Sequence, residues 1–165
     1  MAKAKYQIED FLTNVKDDYK AFIMIIHEKL LQEGYKSKIQ LTKNNDFQLS
    51  YFQAKIKSVE GRILIFLFHN DELMVRIYAK NNAEYPEVLN SLPEIIVNQI
   101  DKADICKKMI DPDKCWKGCM GYEFYIRGNH YQKCYTNCFQ LDVDSESIPY
   151  LLKLIESESE ARLII

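Results

Sequence analysis

Arg62-Ile-Leu-Ile-Phe-Leu-Phe68, then His69-Asn70-Asp71, then Glu72-Leu-Met-Val-Arg-Ile-Tyr-Ala79: this stretch decides the fold class. Its first arm is almost entirely apolar, the composition of a strand buried on both faces and therefore central in a sheet. Its second arm alternates Leu73, Val75 and Ile77 against Met74, Arg76 and Tyr78, the period of two expected of a strand with unlike faces. The three residues between them tolerate a left-handed backbone, so the chain can reverse there. The stretch reads as a β-hairpin over 62–79.

Toward the N-terminus the pattern stays mixed. Phe47–Gln53 alternates as a strand, and Lys36–Leu41 is a weaker one separated from it by the turn residues Asn44-Asn45-Asp46. Before these, Ile8, Phe11, Leu12, Val15, Tyr19, Phe22, Ile23, Ile26 and Leu30 recur at spacings of three and four, which puts them on one helical face. Asp17 and Asp18 are positioned to split this run into two helices, and Gly34 suits a C-terminal cap. His27 lies beside the stripe and reads as a structural, partly buried histidine rather than a ligand.

Toward the C-terminus, Pro86 and Pro93 each suit a helix start, which predicts two short helices across 83–105. Their second is expected to bury Leu92, Ile95, Ile96, Gln99, Ile100 and Ala103. A second hairpin is expected from Tyr122–Ile126 and a long arm His130–Val143 around Gly128-Asn129. The last helix starts after the capping pair Asp144 and Ser145, and its stripe is Ile148, Leu151, Leu152 and Ile155. The charged tail Glu156 to Arg162 reads as solvated. The resulting expectation is a single α+β domain over 1–165, with one mostly antiparallel sheet and helices packed on one face. Strands 47–53, 62–68, 72–79 and 130–142 would share that sheet, with helix 8–33 packed on it.

At 165 residues the chain is long enough for a proper core, and 47% apolar residues suit a globular protein. The net charge of −2 is spread along the chain. No segment has the basic excess that neutralises several phosphates, so no nucleic-acid partner is expected. No apolar run approaches the roughly 18 residues of a membrane span, and the short basic start lacks the apolar core of a signal peptide. The expectation is therefore a cytoplasmic protein with no membrane partner. A small ligand or a second copy of the chain, giving a homodimer, is the kind of partner left open.

All five cysteines fall between Cys106 and Cys138, with spacing Cys106-x8-Cys115-x3-Cys119-x14-Cys134-x3-Cys138. In a reducing compartment, clustered thiols are more often reduced, metal-bound or catalytic than cross-linked. Two C-x3-C pairs fit the ligand gaps of a zinc site, which makes zinc the one cofactor the sequence suggests. Geometry restricts the set. If 134–138 is a regular strand, its two thiols are about 13 Å apart and cannot share an ion. Either a turn at Tyr135-Thr136-Asn137 folds them together, or the ligands are Cys106, Cys115, Cys119 and Cys134. Trp116, Tyr122, His130 and Cys138 are the neighbours placed to line a ligand, although Trp116 also suits a role covering the loop.

A second reading is a thiol-dependent enzyme or redox sensor. Lys114 and Lys117 flank the loop cysteines and would favour a thiolate, and His130 could act as a base for Cys134 or a neighbour. The third is a regulatory or interaction module whose cysteines pack as small hydrophobes, which suits Cys138 best. No dinucleotide-binding, phosphate-loop, nucleophile-elbow or zinc-protease motif is present.

The segment CWKGCMGYEFYIRGNHYQKC (115–134), followed by an acidic cap and SIPYLLKLIE (147–156), resembles a group of small uncharacterised bacterial proteins. They share a cysteine loop, a Tyr/Phe strand, a Gly turn, a Tyr-x-x-Cys strand and a final helix. The resemblance covers about residues 106–156 and implies that this cysteine-rich hairpin segment, within 106–143, behaves as a unit. It implies no activity.

Overall fold

The computed structural model describes residues 5–163. Within them the protein is α+β. Its helices are α1 (Ile8–Leu12), α2 (Asp17–Gln32), α3 (Pro86–Asn90), α4 (Glu94–Lys102), α5 (Lys107–Ile110) and α6 (Ile148–Leu163). Its strands are β1 (Lys36–Leu41), β2 (Phe47–Phe52), β3 (Arg62–His69), β4 (Glu72–Ile77), β5 (Tyr122–Ile126), β6 (Asn129–Lys133) and β7 (Gln140–Asp142). Five strands form a sheet in the order β1-β2-β3-β4-β7, and β5 with β6 forms a separate two-stranded sheet. The chain divides into two compact units, one running to Val75 and including Asp142–Ile148, the other made of Arg76–Leu141 and the segment from Pro149.

In the first unit the hairpin forms as its sequence predicts. Asn70 and Asp71 carry φ of 50° and 64°, the two left-handed residues of a tight β-turn whose twist matches the flanking strands. β3 is central, and Ile63, Leu64, Ile65 and Phe66 are all buried, so both of its faces are covered. β2 pairs antiparallel with it, Leu49 opposite Phe66 and Tyr51 opposite Leu64. The N-terminal stripe does break before Asp17, leaving α1 and α2. The Asp10 carboxylate accepts the Gln7 N–H at 2.7 Å and closes the start of α1. α2 ends at Gly34 with φ of 90°: the Tyr35 N–H reaches the Leu30 carbonyl and the Gly34 N–H reaches Leu31.

These helices bury their stripe on the sheet. The Phe22 ring meets Phe66 edge-on at 5.9 Å, and Phe11 lies 6.4 Å from Phe66 and 5.6 Å from Phe68. His27 is the structural residue its position suggests, with Nδ1 2.8 Å from the Tyr51 hydroxyl.

In the second unit, α3 and α4 are the two short helices expected from the prolines. Leu92, Ile96, Val97 and Ile100 are buried there, whereas Ile95 faces solvent; Val97 takes the place expected of Ile95. The β5–β6 turn is centred one residue earlier than the sequence suggests, on Arg127 and Gly128, with φ of 49° and 81°. Arg127 is held in this conformation by its N–H on Asn90 Oδ1 at 2.7 Å and its guanidinium on the Leu92 carbonyl at 3.1 Å.

Two expectations fail. The long arm 130–142 is not one strand: β6 stops at Lys133, residues 135–139 turn, and β7 restarts in the other sheet. Of that arm only 140–142 joins β2, β3 and β4. Lys133 supplies a physical reason, because its buried ammonium donates to the carbonyls of Asp101 and Ala103 at the end of α4. A cation at a helix C-terminus satisfies free carbonyls and fixes where β6 must end. The tail after Glu156 is likewise not solvated. α6 continues to Leu163, and Ser157, Glu158, Ser159, Ala161 and Arg162 are buried.

Candidate thiol site

The thiol segment is anchored to β6 by short bonds. The Cys106 N–H reaches the Gln132 carbonyl at 3.0 Å, and the Cys134 N–H reaches Asp104 at 2.8 Å. Ile105 bridges Lys133, so residues 104–106 run antiparallel beside β6. α5 follows, then a 3-10 turn over Pro112–Lys114, capped by the Asp111 carboxylate, which accepts the Asp113 N–H at 3.1 Å. The next turn is closed by the Cys119 N–H on the Trp116 carbonyl at 3.1 Å. Lys108 ties the two pieces together, its ammonium donating to the carbonyls of Lys117 at 2.8 Å and Cys119 at 2.7 Å.

This folding sets the Cys115 and Cys119 side chains near enough to interact. Burial first, and then the hydrogen bond with Cys115, push the Cys119 thiol above its usual range, while the Gly121 N–H on its sulfur pulls the other way. Cys106 is close enough for its charge to act on Cys119. Its sulfur rests on Gly121, where φ is 67° and an added Cβ would meet it at 2.5 Å. Cys106 and Cys119 are buried, and Cys115 is half-buried. All five cysteines are free thiols.

Cys134 and Cys138 form a different pair. Of the two alternatives for this stretch, the turn at Tyr135-Thr136-Asn137 is the one present, closed by the Cys138 N–H on the Cys134 carbonyl at 3.0 Å. The Cys134 sulfur lies 3.2 Å from the Thr136 hydroxyl. Cys138 is fully enclosed, and burial drives its thiol well above the ordinary range. It is placed as a packing residue. Among the described residues, no group of three or more His, Cys, Asp or Glu side chains is arranged to hold a metal ion. The set Cys106, Cys115, Cys119 and Cys134 therefore has no assembled ligand sphere behind it.

The remaining predicted neighbours separate. Trp116 is 54% exposed, and its ring lies over Gly118 so closely that a Cβ there would meet it at 2.0 Å. His130 stacks on Tyr125 at 4.8 Å, with Nε2 3.8 Å from Glu123. It sits four residues before Cys134, about 13 Å along an extended strand, too far to be its base. Tyr122 is buried and stacks on Tyr135 at 4.8 Å and meets Phe139 at 5.2 Å. Among the described residues its hydroxyl has no hydrogen-bond partner, and burial, then the neighbouring Tyr135, hold it protonated.

Sequence reasoning missed a buried ionic cluster. The Glu158 carboxylate, wholly enclosed, accepts from the Asn81 N–H and side-chain amide, from the Tyr85 hydroxyl at 2.5 Å and from Arg162 Nε at 2.9 Å. Arg162 also donates to the Tyr78 carbonyl at 2.8 Å. The signal was the four-residue Glu158–Arg162 spacing, interleaved with the small residues Ser157, Ser159 and Ala161 that permit close packing. A charged stretch without large apolar residues conceals it.

No family model, curated protein or solved structure matches the chain. No described helix is long and apolar enough to cross a membrane.

Proposed function

We propose that this protein is a thiol-switch domain in which Cys115 and Cys119 exchange between a dithiol and a disulfide. The observation that supports this reading is a loop closed by the Cys119 N–H on the Trp116 carbonyl, which sets a half-buried Cys115 and a buried Cys119 near enough to interact. We place the chemistry in a reducing bacterial cytoplasm, the setting that the resemblance of residues 106–156 and the free thiols favour.

The co-reactant is a low-molecular-weight disulfide. The Cys115 sulfur, which solvent reaches, loses its proton to water and attacks one sulfur of the incoming disulfide. That S–S bond breaks and the first small thiolate departs. Cys119 then gives up its proton and attacks the Cys115 sulfur, expelling the second small thiolate. The two released protons end on the two small thiols, so one disulfide bond is lost and one gained. Cys119 keeps its proton to higher pH than an ordinary thiol, which makes it the second sulfur to react.

Oxidised glutathione tests this directly. Treatment should produce a Cys115–Cys119 cross-link in peptide mass spectra, and Cys119→Ser should instead accumulate a glutathione adduct on Cys115. An adduct on Cys134 alone, or a Cys115 adduct that persists in the presence of intact Cys119, would overturn the reading. Near-stoichiometric zinc in the purified protein, lost on Cys115→Ser or Cys119→Ser, would replace the switch with a metal site.

A further inference from the structure

The segment that carries the thiol loop is rich in exposed apolar side chains. Five of the thirteen exposed large apolar side chains among the described residues are Ile105, Met109, Ile110, Trp116 and Met120, within one tenth of the chain. Ile110 is 70% exposed and Ile105 60%. Scattered singly, such residues need no explanation; here five of them fall on one short segment. They are also held in place, because Lys108 cross-ties α5 to the 115–119 loop through two carbonyls. Lys107 and Lys114 flank Ile110 around a concavity of about 350 Å³. Lys107, Lys114 and Lys117 are exposed, and none forms an ion pair among the described residues. Asp111 and Asp113 are the acidic groups of the same segment. The Asp111 carboxylate is engaged by the Asp113 N–H, and the segment retains a positive excess.

From this charge complementarity we infer that residues 105–120 form a docking surface for an acidic polypeptide segment bearing apolar anchor side chains. An apolar anchor would fill the concavity over Ile110 while carboxylates meet Lys107 and Lys114. A second anchor would pack on Trp116, since buried Trp and Met are common at the centres of protein interfaces. Rigid tying of the loop limits the ordering cost on association. The inference does not depend on the redox chemistry of Cys115 and Cys119.

A library of random twelve-residue peptides, selected against the whole protein under reducing conditions, tests it. Enriched peptides should combine Asp or Glu with large apolar residues. On binding they should shift the emission of Trp116, the protein's only tryptophan, to shorter wavelength. Lys107→Glu with Lys114→Glu should weaken them at least tenfold, and Ile110→Ser should do the same. All three positions are exposed, so these variants keep the fold. The inference is overturned if no peptide is enriched, if enriched peptides lack acidic residues, or if the lysine variant binds them equally. It is also overturned if Trp116 emission responds only to vesicles of phosphatidylserine and phosphatidylcholine, which would make the surface a lipid contact.

Discussion

Replacing Glu158 with Ala removes one carboxylate that four donor groups share. The Asn81 N–H, the Asn81 amide and the Tyr85 hydroxyl would each lose their acceptor, and Arg162 would lose its ionic partner with its side chain only 2% exposed. Breaking one side of a buried pair costs about 3–5 kcal/mol, because the remaining charge stays out of water without compensation. Glu158→Gln keeps an acceptor but not the charge, and should cost less, about 1.5–3 kcal/mol, the worth of hydrogen bonds to a charged group. The combined change Glu158→Leu with Arg162→Met should be milder than the sum of the single changes, because it removes both charges and leaves apolar volume. Urea unfolding followed by circular dichroism measures all of these. A loss below about 1 kcal/mol for Glu158→Ala, or strict additivity of the pair, would refute the view that this cluster locks the end of α6.

Two further outcomes follow from the first unit. Phe22, buried against Phe66, should lose about 3–5 kcal/mol on replacement by Ala, and a loss under about 1 kcal/mol in the same urea assay would mean the α2 stripe is not core. His27 has its pKa lowered, chiefly by burial. The unfolded chain therefore binds a proton that the folded chain refuses in the window below the ordinary histidine value of about 6.5. Its contribution to stability is full above that pH and is lost as pH falls through the folded value. Wild type should show this acid-side slope in pH-dependent unfolding, and His27→Gln should flatten it; an unchanged slope would assign the effect to another group.

Periodicity and turn chemistry are local, and local physics is what a sequence states openly. The α+β class, the 62–79 hairpin, the break before α2, the Gly34 cap and the two proline-started helices follow from side-chain spacing and allowed backbone angles. The closeness of Cys115 and Cys119 has a local cause too: Gly118 lets the loop turn, and a turn over five residues brings its ends together where an extended path would part them by about 13 Å. What the sequence could not state is where polar groups find partners far along the chain. The 130–142 arm alternates like one strand, yet Lys133 must reach carbonyls at Asp101 and Ala103, and that distant requirement ends β6. Glu156 to Arg162 has the composition of a solvated tail. Only tertiary structure supplies Asn81, Tyr85 and the Tyr78 carbonyl, which make it less costly to enclose Glu158 and Arg162 than their charges alone suggest. Burial of a charge is decided by its partners, and those partners lie more than seventy residues away.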